Sequence, residues 1–478
     1  MPARTESHHL TDAWGTRRGN AARFGCCPSH PSQRGAVLLM FAVMLVLGVT
    51  TLLVSGLYQA GLQRNTATRN PSLLGEARSA LIGYAMTFAD YNPGQLSGLL
   101  PCPDMDGDGL EDRPCGVDGE SAIGHLPWQT LGLSVPRDGS GACLWYAVAG
   151  PYKANPNAVV SSESNGLFQI VDQTDSVRIG ATQETQALAV VIAPGAPVLN
   201  QNRSVRANFA TTCGSRIAAD GANQPHNYLE TRNGVDNARG THAGAAPGAA
   251  GSEALPTLLP SVFVYSGRFP QAGELTFNDG LAWITPADFA PVYRLVEQSV
   301  AQRLRACLNS YGAGNGGHYP WAAPLNGTAA PTYSDASGER FGRIAQDLTR
   351  TGNDGLTPAW PIDPLDATQT CFGWGWWSAW REQVFYAVAK DSVPLATAGG
   401  DLQLDGINSP FVLLLGGRRL AGQDRSDDPG RGRIENYLEA DNVPASGDGK
   451  IPPGDEHFQS SAGVNFNDFA CSATACFR

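Results

Sequence analysis

The feature that most restricts what this chain can become is that its second half repeats its first. The first copy runs from a helix-forming stretch at Leu73–Tyr91 through His125–Trp128, Leu144–Ala149, Leu188–Gly195 and Asn227–Glu230 to Phe277–Asp279. The second has corresponding elements in the same order, at about Val292–Ser310, His318–Trp321, Val384–Ala389, Phe411–Gly416, Asn436–Glu439 and Phe466–Asp468. One shared tetrapeptide is easily a coincidence, but six elements in register are not, and the chain must fold as a repeated unit. Within each unit the apolar runs have strand length, are rich in β-branched and aromatic residues and are bounded by Gly, Pro and Asn. Each unit therefore reads as one helix followed by short strands. With 56 Gly and 33 Pro in 478 residues, the connections are numerous. Residues 240–256 read as a flexible loop, and residues 312–370 as a surface excursion on the second lobe.

Upstream of the repeat lies an uncharged apolar run, Ala36–Tyr58. As a helix it is long enough to cross a hydrocarbon core of about 30 Å. Residues 1–35 carry five arginines against Glu6 and Asp12, a balance of +3 that leaves −14 for the remainder of a chain whose net charge is −11. The arginines before the run and the acidic body after it predict a cytoplasmic N-terminus and an exported body. An acidic body without a basic stripe speaks against nucleic-acid binding, which needs clustered Lys and Arg to neutralise phosphates. Beyond the run, Pro71 reads as a kink or restart, with Asn70 or Ser72 as its cap.

Cysteine usage fits that topology. Cys26 and Cys27 precede the run, whereas Cys102, Cys115, Cys143, Cys213, Cys307, Cys371, Cys471 and Cys476 follow it. Eight cysteines in an oxidising compartment read as disulfides. No CxxC pair suggests zinc. The connectivity is open from sequence, although Cys102 with Cys115 and Cys471 with Cys476 are close enough for local loops.

In an ordinary secretory signal the small residue of the cleavage site follows a short apolar region. Here Gly35 in Gln33-Arg34-Gly35-Ala36 precedes a long one. That order resembles the leader of type IV pilins and type II secretion pseudopilins. The resemblance implies cleavage by a prepilin peptidase after Gly35 and a methylated mature N-terminus at Ala36; an uncleaved signal anchor is the alternative. The sequence departs from the filament-forming members at the fifth mature position, where Met40 replaces their Glu. The large K-type minor subunits at filament tips share this absence, and a big body on one helix would also crowd a filament shaft. The segment Leu100–Gly109 with the blocks after it also resembles pilin-like proteins to which no activity is attached.

Several constellations could carry chemistry. Asp104, Asp106 and Asp108, with Gly107 and Gly109, begin like a calcium loop, since carboxylates at alternate positions around a tight turn gather hard oxygen ligands. Cys115 stands where an EF-hand needs its bidentate Glu, so Glu111 or Asp112 would complete a shorter site; the alternative is a solvated acidic turn closed by a Cys102–Cys115 bridge. Gly312–Gly317 matches GxGxxG but follows a helix instead of a strand, and reads as a helix stop. Trp374, Trp376, Trp377 and Trp380 form either a core or a contact surface for carbohydrate or protein. His125 and His318, before the two Pro-Trp pairs, read as packing or turn residues, and the recurrent Glu230 and Glu439, Asp279 and Asp468 lie in segments that read as strand and turn structure. No GxSxG, HExxH or P-loop is present, so no enzyme is expected.

The expected fold class is α+β, with a long N-terminal transmembrane helix followed by two duplicated lobes, each a helix packed on an antiparallel sheet. The expected boundaries are a leader at 1–35, the membrane helix and its extension at 36–71, and lobes at 72–290 and 291–478. The expected function is a minor pilin-like structural subunit at a filament tip, single-pass in the inner membrane with its body in the periplasm. Its partners would be other pilin subunits, the prepilin peptidase and an external protein or carbohydrate. The alternative is an uncleaved membrane-anchored binding protein; a periplasmic hydrolase would need a pocket with paired titratable groups.

Overall fold

The computed structural model describes residues 34–198, 201–203, 213, 224–239, 241–242, 261–265, 277–325, 333–396, 398–399, 402–443, 456–461 and 466–477. The leader with Cys26 and Cys27, and most of the 240–256 loop, lie outside the described residues. Two compact units are present, residues 1–60 and residues 61–478.

The first unit contains the start of helix α1, Arg34–Tyr91, which holds Gly35 and Ala36 in its first turn. Apart from Thr50 and Thr51, its described side chains from Leu39 to Leu52 are apolar and exposed, with Leu39, Met40, Phe41, Met44 and Leu52 each about two-thirds or more open. Among the described residues, no helix is long and apolar enough to cross a membrane. The expected transmembrane helix, and with it the single-pass inner-membrane location, is overturned.

The second unit is mixed α/β, built from many small sheets instead of one antiparallel sheet per lobe. Helix α1 runs through Pro71 without a break. Asn70 caps nothing: its Oδ1 accepts from Gly139 N at 2.7 Å. Leu74, Ala77, Leu81, Ala85 and Phe88 recur at three- and four-residue steps and are all buried, so one face of the helix covers the first main sheet. That sheet is antiparallel, ordered Ala122–His125, Trp145–Val148, Ala189–Ala193, Gly280–Ile284.

The second main sheet repeats the order with Phe341–Arg343, Val384–Val388, Phe411–Leu415 and Phe469–Ser472, and adds Cys476–Phe477 at its edge. Helix α2, Ala290–Gly314, covers it with Val296, Val300, Leu304 and Leu308, while its first turn, Val292 and Tyr293, belongs to the first core. The helix ends in the glycine run, where Gly316 and Gly317 take positive φ of 67° and 89°.

Each half also carries a three-stranded sheet with a parallel pair, which the expected antiparallel architecture did not contain. Phe168–Asp172 pairs in parallel with Ser261–Tyr265, and Gln403–Leu404 with His457–Phe458. An antiparallel third strand completes each, Val177–Ile179 and Ile407–Asn408. The 312–370 excursion is corrected too, because Phe341–Arg343 is buried and is a strand of the second main sheet.

All eight cysteines beyond the apolar run are paired, as Cys102–Cys115, Cys143–Cys213, Cys307–Cys371 and Cys471–Cys476. The four tryptophans at 374–380 are buried around the third bridge. Trp380 Nε1 donates to Val160 O, joining the two halves. Three arginines complete that seam. Arg418 donates to Ser164 O at 2.7 Å and Tyr293 Oη at 2.9 Å, Arg419 pairs with Glu184 at 2.6 Å, and Arg425 pairs with Glu163.

Candidate functional site

The Asn-Tyr-Leu-Glu and Phe-Asn-Asp segments, which read as simple strand and turn structure, carry a dense polar network, and it occurs twice. In the first half, Glu230 Oε2 accepts from Asn278 N and Asp279 N at 2.9 and 3.0 Å. Asp279 Oδ2 accepts from Glu230 N and Asn237 Nδ2. In the second half, Glu439 Oε2 accepts from Asn467 N at 3.0 Å, and Asp468 Oδ2 from Glu439 N and Asn442 Nδ2. Each carboxylate thus bonds the backbone at the other's segment, locking the turn against the end of the last common strand.

An arginine closes each network. Arg203 donates to Asn227 O, Gly195 O and Gln201 Oε1, and Gln201 donates to Glu230. Arg425 donates to Asn436 O, Gly417 O and Gln423 Oε1, and Gln423 donates to Glu439. The two guanidiniums lie over equivalent rings, Tyr228 at 4.9 Å and Tyr437 at 4.3 Å. The repeated Gln-x-Arg before each Asn-Tyr-Leu-Glu is visible in the sequence. It went unread because two matched residues separated by one position stand out only once their partners are known.

Burial dominates the electrostatics. It raises the carboxyls of Glu230 and Asp279, with the Glu230 charge adding to the rise at Asp279. Asp468 is pushed up to about 9, first by burial and then by the Glu439 carboxylate. Among the described residues no donor faces Asp468 Oδ1, and the raised carboxyl favours a proton shared with Glu439.

The strand registers correct one pairing of the repeat. Gly124 and His125 stand opposite Tyr146 and Trp145, whereas Gly342 and Arg343 stand opposite Tyr386 and Phe385. His125 therefore corresponds to Arg343, not to His318, which lies in the turn after α2. Tyr146 Oη donates to Pro101 O and Tyr386 Oη to Pro320 O, so Tyr319-Pro320-Trp321 matches Leu100-Pro101-Cys102.

In the acidic loop, the carboxylates of Asp104, Asp106 and Asp108 come within 4.8 Å of one another. Asp112 is not in that group, since its Oδ2 accepts from Met105 N at 2.6 Å. Asp104 is fully buried; Oδ1 accepts from Asp106 N and Gly107 N, and Oδ2 from Gly109 N. Burial raises its carboxyl to about 7 against the lowering effect of the Gly107 and Gly109 bonds. Glu111 takes another role, accepting from Tyr84 Oη and Cys102 N. The loop thus folds on its own hydrogen bonds, and Asp106 and Asp108 are the exposed oxygens it could offer a hard cation.

Comparison with protein-family models, curated proteins and solved structures finds no match to this chain.

Proposed function

We propose that the chain is a pilin-like structural subunit that joins a filament through α1 and carries its duplicated body at the filament's end. The observation that carries this reading is the run of exposed apolar side chains from Leu39 to Leu52. So much contiguous apolar surface is rarely left in water, and similar helices packed side by side would bury it. The leader order at Gly35 and Ala36 supports processing by a prepilin peptidase. Met40 in place of Glu suits a subunit with no predecessor to contact.

The test is intact mass spectrometry of the full chain from cells with and without the prepilin peptidase. A peptidase-dependent product beginning at methylated Ala36 is the expected result. A chain that retains residues 1–35 in both strains rejects the proposal.

A further inference from the structure

The duplication supplies an internal comparison. Each main sheet has two outer edges, and three of these four are closed. Asp104 bridges to His125 beside Ala122–His125, Ala323 bridges to Arg343 beside Phe341–Arg343, and Cys476–Phe477 pairs along Phe469–Ser472. The fourth edge is the Gly280–Ile284 strand of the first half. It pairs with Ala189–Ala193 on one side, and among the described residues no strand lies on the other. Exposure follows the difference, since Phe469–Ser472 is buried at all four positions whereas Leu281, Ala282 and Trp283 are half-buried. The cause lies in the path of the chain. The second half turns back after Phe469–Ser472 and lays down its own fifth strand, but the first half leaves Ile284 through a short turn, in which Thr285 N donates to Asp288 Oδ2 at 2.9 Å, and enters α2 at Ala290. It has no chain there to turn back.

Edge strands that must stay unpaired are usually blunted by a charge, a proline or a bulge. Gly280-Leu281-Ala282-Trp283-Ile284 has none of these, and its register against Ala189–Ala193 is unbroken. Alternate residues along it turn their N–H and C=O groups away from that neighbour. A trough of about 430 Å³ follows the edge, touched by Leu281, Ala282 and Trp283 and bounded by Arg78, Thr285 and Asp288. Consecutive strand residues alternate between the faces of a sheet, so a recess that meets all three runs along the rim. Arg78 and Asp288 are ion-paired across it, which leaves this rim locally neutral on a chain of net charge −11. A second copy can approach here without the repulsion that acidic surfaces impose.

We infer that this edge pairs with the same edge of a second copy, antiparallel about a two-fold axis. Such a pairing closes both edges at once, so association stops at the dimer. With the axis at the middle residue, Ala282, all five residues pair and Leu281 of each copy stands opposite Trp283 of the other. The pairing uses the body and is independent of assembly through α1. The test is analytical ultracentrifugation, in detergent, of the full chain carrying Leu45→Asp, which removes association through α1. A reversible dimer that fills as concentration rises is expected. Ala282→Lys in the same background brings two ammonium groups together at the axis and should raise the dimer dissociation constant at least about tenfold. Leu365→Lys, at an exposed apolar residue of the Ile362–Thr370 hairpin, should leave it unchanged. A monomer at every concentration, or a dimer indifferent to Ala282→Lys, overturns the inference. Hydrogen exchange of the Leu45→Asp chain decides the matter if Ala282→Lys fails to fold. Protection of the amides in Leu281–Trp283 should rise with concentration, and protection independent of concentration overturns the pairing.

Discussion

Asp468 is a residue whose ionisation is tied to folding. Its carboxyl is raised to about 9 in the folded chain, from an ordinary value near 3.8. A raised carboxyl stabilises the fold fully below its unfolded value, and that stabilisation is lost as pH rises through its folded value, here between about pH 4 and 9. Asp468→Asn keeps the acceptor for Glu439 N and provides an amide N–H toward the Glu439 carboxylate. Relative to the unaltered chain, this variant should gain stability as pH rises from 5 to 8, by up to about 1.4 kcal/mol per pH unit. Urea unfolding at several pH values reads the slope, and a difference independent of pH refutes the shared proton. Asp104 makes a second residue-scale case, because Asp104→Ala leaves three backbone N–H groups of the loop without their acceptor. The expected loss is about 2–4 kcal/mol, and it should be present in chelator, where only the turn's own bonds act. A loss that appears only with calcium would assign the carboxylate to an ion. Glu230, Glu439, Asp279 and Asp468 were legible as recurrent residues, but their pairing was not, because it depends on which carboxylate meets which backbone N–H across segments 48 and 49 residues apart in the first half.

At the scale of elements, α2 was legible from its place in the repeat, and the Trp145–Val148, Ala189–Ala193 and Phe411–Leu415 strands from their β-branched and aromatic runs. Phe341–Arg343 was not, since three residues holding a Gly and an Arg give no strand signal, and only the pairing of Gly342 with Tyr386 makes them one. The parallel strand pairs were hidden for a similar reason, because partners far apart in the chain leave no local pattern. Cys307–Cys371 ties α2 to the tryptophan cluster across 64 residues. Replacing both cysteines by Ser should cost about 2–4 kcal/mol, as expected for a bridge that constrains a long loop in the unfolded chain. Thermal unfolding with and without reductant checks this, since reduction should add no further loss from this bridge in the double variant.

At the scale of the molecule, the proposed assembly predicts that charge on the exposed face of α1 disturbs association and little else. Leu45→Asp should abolish crosslinking through α1 between copies or with other subunits while leaving the thermal midpoint of the 61–478 unit within about 1 °C, as surface substitutions usually do. Loss of both association and folding would mean that the apolar side chains serve the chain's own core. The duplication itself was legible, while the way its halves are joined was not, because Arg418, Arg419 and Arg425 look like ordinary surface charges until Tyr293, Glu184 and Glu163 are placed against them.

Helix α2 gives its first turn to one core and the rest of its length to the other. The two copies have therefore given up the autonomy that usually follows duplication, and a calorimetric scan should show one endotherm for the body instead of two. If such a body is tugged at the end of a filament, neither half can open first and act as a weak link. The load is shared across the whole unit.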